Sequence, residues 1–323
     1  MINLSKMTKQ KIDSPEMLTA ARGIREGQKY VNLMWDAGFK AVYADRQNKP
    51  LLISLLNMVL PDDVRVHDIT DYLDREQSPD TVYGKKVILD LVCRDSEGNI
   101  FSVEVQRLLD RHFFKRCVYY GSRHYSNQLR RGQKYGTLNP VYVIAFLEEK
   151  IVHEDESLWD SDNLISCYRF AERRTNEEAD STIMITFAEL GRFTKRACEC
   201  STERDKVFYW FKHSWMSDFL PEYPDGGSGT VTELVRATEI AAFSPEKKAI
   251  YDSDIMNELD IINNQQILYE QGLAEGVQKG REEEREEVAK KLLDKMDIDE
   301  ISGITGLSRE RVRELASLQQ ALA

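Results

Sequence analysis

Residues 85–106 constrain this chain most: Lys-Lys-Val-Ile-Leu-Asp-Leu-Val-Cys-Arg-Asp-Ser-Glu-Gly-Asn-Ile-Phe-Ser-Val-Glu-Val-Gln. Two apolar runs flank Asp95-Ser96-Glu97-Gly98-Asn99, whose turn formers make the stretch a β-hairpin. The first run, 87–93, is apolar at every position except Asp90, as in a strand buried on both faces. The second alternates, with Phe101, Val103 and Val105 to one side and Ser102, Glu104 and Gln106 to the other. A hairpin symmetric about Glu97 sets Asp90 opposite Glu104, and directly opposed residues have Cβ atoms about 4.5–5.5 Å apart. Two carboxylates that close inside a sheet repel each other and lose hydration. A hard divalent cation removes both costs, and Mg²⁺ in particular takes carboxylate, water and phosphate oxygens. The same pattern also suits Asp90 at a strand end with Glu104 facing solvent, an arrangement that needs no metal.

The rest of the chain has to accommodate that hairpin. Over 323 residues, 41% hydrophobic and 31% charged content suits a soluble globular protein with an extra-charged helical part. No run reaches the roughly 18 apolar residues of a membrane span, and the N-terminus has no apolar signal core, so a cytoplasmic protein is expected. Five cysteines, an odd number with no Cys-x-x-Cys spacing, argue for a reducing compartment and against a zinc site. The net charge of −11 means that any nucleic-acid contact needs a local basic surface.

Such a surface follows the hairpin directly. Residues 107–134 hold eight Lys or Arg against one acid, Asp110. Phe114, Val118, Gly121, Tyr125 and Leu129 form a helical stripe, with Gly121 allowing close approach to a sheet. Arg116, Arg123 and Arg130 fall seven apart on the opposite face, and Lys134 ends the segment. Arginine's planar fork binds phosphate at two points, so these four residues are the candidate DNA contacts. An ordinary solvated helix face is the competing account.

Elsewhere the pattern predicts helices over 30–40 and 49–60, a first strand within 64–73, a polar loop at 75–80 and a buried strand over 141–147. Shorter strands are expected within 164–171 and 182–187. Residues 202–220 form an aromatic helix whose Val207, Trp210, Phe211, Trp215 and Phe219 stripe belongs to a core, followed by a Gly-rich loop to 229. From Ser244, an N-cap before Pro245, a helix runs to about 296. Gly272, Gly276 and Gly280 either permit a close helix crossing or break it. Glu286–Lys290 and Glu287–Lys291 are favourably ordered pairs. The tail is laid out like a helix-turn-helix, with Gly306 between a short helix and one carrying Arg309, Arg311 and Arg313. It suits a protein-contact or dimerisation cap as well as a DNA reader, which makes a homo-oligomer through the C-terminal helices an expectation.

Asp90-x(13)-Glu104-x-Gln106 across a hairpin resembles the PD-(D/E)XK nuclease signature, and most of all the bacterial Rpn-type recombination-promoting nuclease and transposase family. Asp36-Ala37-Gly38-Phe39-Lys40, Leu51-Leu52-Ile53-Ser54-Leu55-Leu56-Asn57, Ala188-Glu189-Leu190-Gly191-Arg192-Phe193 and the Ile304-Thr305-Gly306-Leu307-Ser308 tail resemble other segments of that family in the same order. The likeness spans about 28–318. Leu89 departs from the signature's proline and Gln106 from its lysine, so a neutral group stands where others carry a cation; Lys40 and Lys86 are candidates to supply one. The resemblance implies an α/β fold with a PD-(D/E)XK restriction-endonuclease-like core, a mixed sheet flanked by helices in αβββαβ order, and a helical C-terminal region. Its expected divisions are a lead-in at 1–27, the nuclease-like domain at 28–200, a helical packing segment at 201–243 and a charged helix with tail at 244–323. It further implies a Mg²⁺-dependent DNA endonuclease, with Mn²⁺ able to substitute, linked to recombination, transposition-like exchange or defence against foreign DNA. Asp90 and Glu104 would hold the metal, Gln106 would orient water or phosphate, and Asp36 would be a further acid. The alternative is a catalytically weak DNA-binding protein on the same scaffold.

Overall fold

The computed structural model describes residues 28–73, 76–77, 87–88, 90–107, 109, 111–178, 182–227 and 229–322, so the 1–27 segment, Lys86, Leu89 and Asp110 lie outside the described residues. The chain divides into two compact units, Met1–Asn257 and Glu258–Ala323.

In the first unit, α1 (Asp36–Tyr43) and α2 (Lys49–Val59) precede β1 (Ile69–Tyr72), the short strands β2 (Glu76–Gln77) and β3 (Val87–Ile88), and then β4 (Leu91–Asp95) and β5 (Ile100–Gln106). Next come α3 (Phe113–Ser126), β6 (Val141–Leu147), β7 (Ile165–Tyr168), β8 (Ile183–Glu189), α4 (Glu203–His213) and α5 (Thr230–Thr238). Six strands form one mixed sheet in the order β1-β4-β5-β6-β8-β7, while β2 and β3 pair separately. The β4–β5 hairpin is antiparallel, and β5–β6 and β6–β8 are parallel. Parallel neighbours need crossover connections, and α3 provides the one between β5 and β6.

The hairpin turn is closed by Asp95. Its Oδ1 accepts from the N–H groups of Glu97 (2.9 Å) and Asn99 (2.8 Å), and Gly98 takes the left-handed conformation (φ +91°) the tight turn requires. The observed pairs, Leu91↔Val103, Val92↔Ser102, Cys93↔Phe101 and Arg94↔Ile100, are symmetric about Glu97, a register that, continued by one residue, sets Asp90 opposite Glu104. The expected single strand over 87–93 is instead split. Asp90 is a bend, and β3 leaves the large sheet to pair with β2, which occupies part of the expected 75–80 loop.

The two sheet faces are covered by different helices. Ile100, Val92, Val143, Ala145, Ile185 and Phe187 meet Phe113 and Cys117 of α3. On the other face Phe146 stacks on Phe211 of α4 (5.0 Å), which also meets Phe39 of α1 (6.2 Å). The aromatic segment 202–220 is thus core through Val207, Phe208, Trp210 and Phe211, but Phe219, counted in the expected stripe, is 82% exposed because the helix ends at His213.

Two helix starts differ from the sequence expectation. The first helix begins at Asp36, not near Tyr30, because Asn32 forms a turn: its Oδ1 accepts from Met34 N–H (2.9 Å) and its carbonyl from Trp35 N–H (3.2 Å). That carbonyl lies so close to α1 that a Cβ on Gly38 would meet it at 1.9 Å, so only glycine fits. The basic helix begins at Phe113 and ends at Ser126, leaving Arg130 and Lys134 in the following turns. Its buried stripe is Phe113, Cys117, Gly121 and His124, one step round from the expected Phe114–Val118–Gly121 stripe, and Val118 is exposed.

α6 (Pro245–Leu292) begins in the first unit and supplies the second with its long helix. Gly272, Gly276 and Gly280 neither break it nor pack against anything; a Cβ at each would meet open space. In the second unit Ala289 near the end of α6 is buried with Ile301 of α7 (Ile298–Thr305) and Val312 and Leu315 of α8 (Arg309–Leu322). The end of α6 therefore completes the helix-turn-helix with a third helix. Gly306 makes the turn (φ +71°). Glu287 pairs with Lys291 (3.6 Å), but Glu286 turns to Arg311 (2.7 Å) instead of Lys290. Among the described residues no helix is long and apolar enough to cross a membrane.

Candidate active site

The alternation of β5 directs Ser102, Glu104 and Gln106 to the α3 side of the sheet. Asp90, at the bend before β4, is partly buried and its Oδ2 accepts from Val105 N–H (2.8 Å). Glu104 is 6% exposed, and its Oε1 is buried with no hydrogen-bond partner among the described residues. Burial first, then the charges of Glu104 and Asp36, hold the Asp90 carboxyl well above the usual carboxylate range. Burial likewise pushes Glu104 up to about 8, against the opposing pull of Arg116 and Lys40. The two carboxyls thus resist ionising together, as a close pair of like charges in a desolvated place must.

Asp36 enters from the first turn of α1, whose start is set by the Asn32 turn and the Gly38 contact. It forms an ion pair with Lys40 one turn along, and its Oδ1 is buried without a hydrogen-bond partner among the described residues. Its charge acts on both Asp90 and Glu104. Among the described residues, however, no three His, Cys, Asp or Glu side chains are gathered closely enough to hold a metal ion. Asp36 stands beside the pair in its field, not in a common ligand set.

Arg116 is placed otherwise than the seven-residue spacing suggests. It does not point away from the sheet. Its Nη2 donates to Gln106 Oε1 (2.5 Å), its guanidinium lies over the Phe113 ring (4.8 Å), and its charge acts on Glu104. Arg123 lies in the last turn of α3, and Arg130 and Lys134 are exposed beyond it. The structure therefore gathers Asp36, Asp90, Glu104, Gln106 and Arg116, and leaves Arg123, Arg130 and Lys134 apart. Lys40, one of the two lysines considered as a source of the missing cation, acts on both carboxyls, and the structure adds Tyr120, whose phenol is raised by burial and by the charge of Glu104. Tyr120 gave no signal before the phase of α3 was known.

The donors present fit a hard divalent cation. They are the carboxylates of Asp90 and Glu104, the latter with a buried oxygen that has no hydrogen-bond partner among the described residues, and their mutual repulsion is what such a cation relieves. A mixed sheet whose central hairpin carries an acid at the bend and Glu-x-Gln on the next strand, under a crossover helix, is the framework of the PD-(D/E)XK class. The chain belongs to the PD-(D/E)XK nuclease family transposases: the model of that family matches residues 33–266. Nucleases of this class typically use divalent metals and act on DNA. No curated protein matches the chain. No solved structure matches it either.

Proposed function

We propose that this protein is a Mg²⁺-dependent DNA endonuclease of the Rpn type, with Mn²⁺ able to substitute, acting in recombination, transposition-like exchange or defence. One observation carries this: Asp90, bonded to Val105 N–H beside Glu104 at the end of the hairpin, and Glu104 are both desolvated and both held above the usual carboxylate range. A purely structural role for such a pair is expensive, since an unpaired buried oxygen alone costs about 1–3 kcal/mol. Asp90 and Glu104 would hold the cation, which when bound supplies acidified water and charge neutralisation at the scissile phosphate. Asp36 keeps Lys40 directed at the pair, and Gln106 accepts from Arg116 and hydrogen-bonds phosphate or water. Arg123, Arg130 and Lys134 would hold the DNA backbone. The five free cysteines support a reducing, cytoplasmic setting. The three-helix second unit is the proposed place of self-association.

Purified protein should nick plasmid DNA with Mg²⁺, fail to do so in EDTA, and lose at least about a hundredfold of its rate in Asp90→Ala with folding intact. Nicking that survives the substitution would place the chemistry elsewhere. The second reading is a DNA-binding protein with little cleavage, favoured by neutral Gln106 and by the lack of a three-ligand group among the described residues. Salt-sensitive DNA binding with no cutting by either protein would establish it.

A further inference from the structure

We propose that the hydroxyl of Tyr120, on α3, is a catalytic hydrogen-bond donor of this site: it donates to a non-bridging oxygen of the scissile DNA phosphate held at the Asp90–Glu104 pair. The proposal rests on the endonuclease reading above and adds a residue and a role to it.

The direction of α3 decides which of its residues reach the site. It joins the end of β5 to the start of β6, and those strands are parallel, so α3 runs back along the sheet against both. Arg116 lies at the end of β5, where its Nη2 meets Gln106 Oε1 at 2.5 Å. Gly121 lies further back, where a Cβ would meet Val143 Cγ2 at 3.3 Å, and Val143 pairs with Ser102. Tyr120 stands between these two fixed points, one turn or about 6 Å along the helix from Arg116. Glu104 stands two residues back from Gln106, roughly 7 Å along the strand and on the same face. Tyr120 is therefore level with Glu104. Its ring is partly buried and packs at the margin of the α3 core, which fixes where the hydroxyl sits.

Two complementary groups are left open at that level. Glu104 Oε1 is buried and accepts from none of the described residues. Among the described residues the Tyr120 hydroxyl makes no hydrogen bond, to Glu104 or to any other, although the charges of Glu104 and Asp90 both act on it. A donor and an acceptor in one site, neither satisfied by the other, call for further groups that satisfy each. The cation fitted to Glu104 answers the acceptor. An anionic oxygen of the DNA backbone answers the donor.

The chemistry of a phenol suits that place. It is neutral at working pH to begin with, and here burial first, then the charge of Glu104, hold its proton on more firmly. An ionised group beside the two carboxyls would add a third negative charge against the phosphate, whereas the phenol adds none and donates. In hydrolysis a water oxygen forms a bond to phosphorus while the bond from phosphorus to the leaving sugar oxygen breaks. The water loses a proton to solvent, the leaving oxygen gains one from solvent, and Tyr120 keeps its own throughout. Negative charge grows on the non-bridging oxygens, so a donor already fixed in position bonds the transition state more strongly than the ground state.

The test uses the full chain as wild type, Tyr120→Phe and Tyr119→Phe, the last altering a neighbouring tyrosine that is 39% exposed. Single-turnover cleavage of a short DNA duplex is measured with Mg²⁺. Affinity for the same duplex is measured in EDTA and with Ca²⁺, a hard cation that also takes oxygen ligands, with the duplex checked to be uncut. Tyr120→Phe should cut about 10²-fold more slowly. With Ca²⁺ it should bind roughly three- to tenfold more weakly than wild type, the worth of one hydrogen bond. In EDTA, where nothing draws a phosphate to the acidic pair, its affinity should stay within about twofold. A merely structural hydroxyl would move the two affinities alike. Tyr119→Phe should match wild type in all three measurements. The ratio of the two affinities, taken at low temperature on folded protein, decides the matter if Tyr120→Phe melts lower than wild type. Cleavage by Tyr120→Phe within about threefold of wild type, while Asp90→Ala is inactive, overturns this proposal and leaves the endonuclease reading standing. An equal loss of affinity with Ca²⁺ and in EDTA also overturns it. A wild-type chain that cuts equally well in EDTA, or cuts with no cation at all supplied or withheld, overturns the endonuclease reading itself, and this proposal with it.

Discussion

Glu104 concentrates the tension of the molecule in one side chain. Its carboxyl is nearly inaccessible, has an unpartnered oxygen, faces Asp90, and is pushed from 4.5 up to about 8. Since the folded-state value lies above the unfolded one, the folded chain holds this proton more tightly. The associated stability is complete below about pH 4.5 and is lost as pH rises toward about 8. Asp90 shifts in the same direction and adds to the loss. Glu104→Gln keeps the shape and removes the charge. Without divalent cations it should raise the melting temperature at pH 8.5 by roughly 2–6 °C, the equivalent of about 1–2 kcal/mol, and have little effect at pH 5. The same substitution should abolish any stabilisation by added Mg²⁺. A melting shift equal at both pH values would mean that the carboxylate's charge is not what strains the site. The tension was legible in the sequence because a period of two and a turn centre suffice to set Asp90 against Glu104. The place of Arg116 was not. It depends on the phase of α3, and Phe113 and Phe114 offer two adjacent apolar stripes that only packing separates.

Elements carry the next level of constraint, and glycine shows how one residue type serves opposite ends. At Gly121 a Cβ would meet Ile183 Cγ2 at 2.7 Å and Val143 Cγ2 at 3.3 Å, so α3 rests on the sheet through that gap. At Gly276 an added Cβ would meet open space. Gly121→Ala should destabilise the first unit by about 1–2 kcal/mol, because overpacking outweighs the roughly 1 kcal/mol gained in helix propensity. Gly276→Ala should stabilise α6 by about 1 kcal/mol. Denaturant unfolding and helical circular dichroism of the two variants measure both signs, and a shift in the same direction for both would refute the docking account of α3. Strands were easier to read than helix starts. The run at 141–147 is apolar throughout and became β6 with those bounds, buried along its whole length. The helix expected from 30 begins at Asp36 because a side-chain-bonded turn at Asn32 and a backbone contact at Gly38 compete with periodicity, and neither is visible as a pattern.

At the scale of the whole chain, the distribution of charge decides where an acidic protein can meet DNA. The second unit, 258–323, carries fifteen Asp or Glu against nine Lys or Arg. Its helix-turn-helix arginines are largely engaged inside it: Arg309 pairs with Asp299 (3.0 Å), and Arg311 with Glu286 and Glu314 (both 2.7 Å). A phosphate backbone approaching them meets net repulsion and would have to displace those carboxylates. Residues 107–134 have the opposite balance, and Arg130 and Lys134 are exposed there. DNA affinity should therefore fall with salt through the first unit's residues, each phosphate contact contributing about 0.9 to the slope of log affinity against log salt. Arg123→Gln with Arg130→Gln should weaken binding and reduce that slope by nearly two. Replacing Arg309, Arg311 and Arg313 together by glutamine should leave affinity within about twofold and the slope unchanged, though the loss of three ion pairs will cost the second unit some stability. Affinity titrations at several salt concentrations distinguish the two sets. If the tail variants lose the slope instead, the helix-turn-helix is the DNA-contacting element.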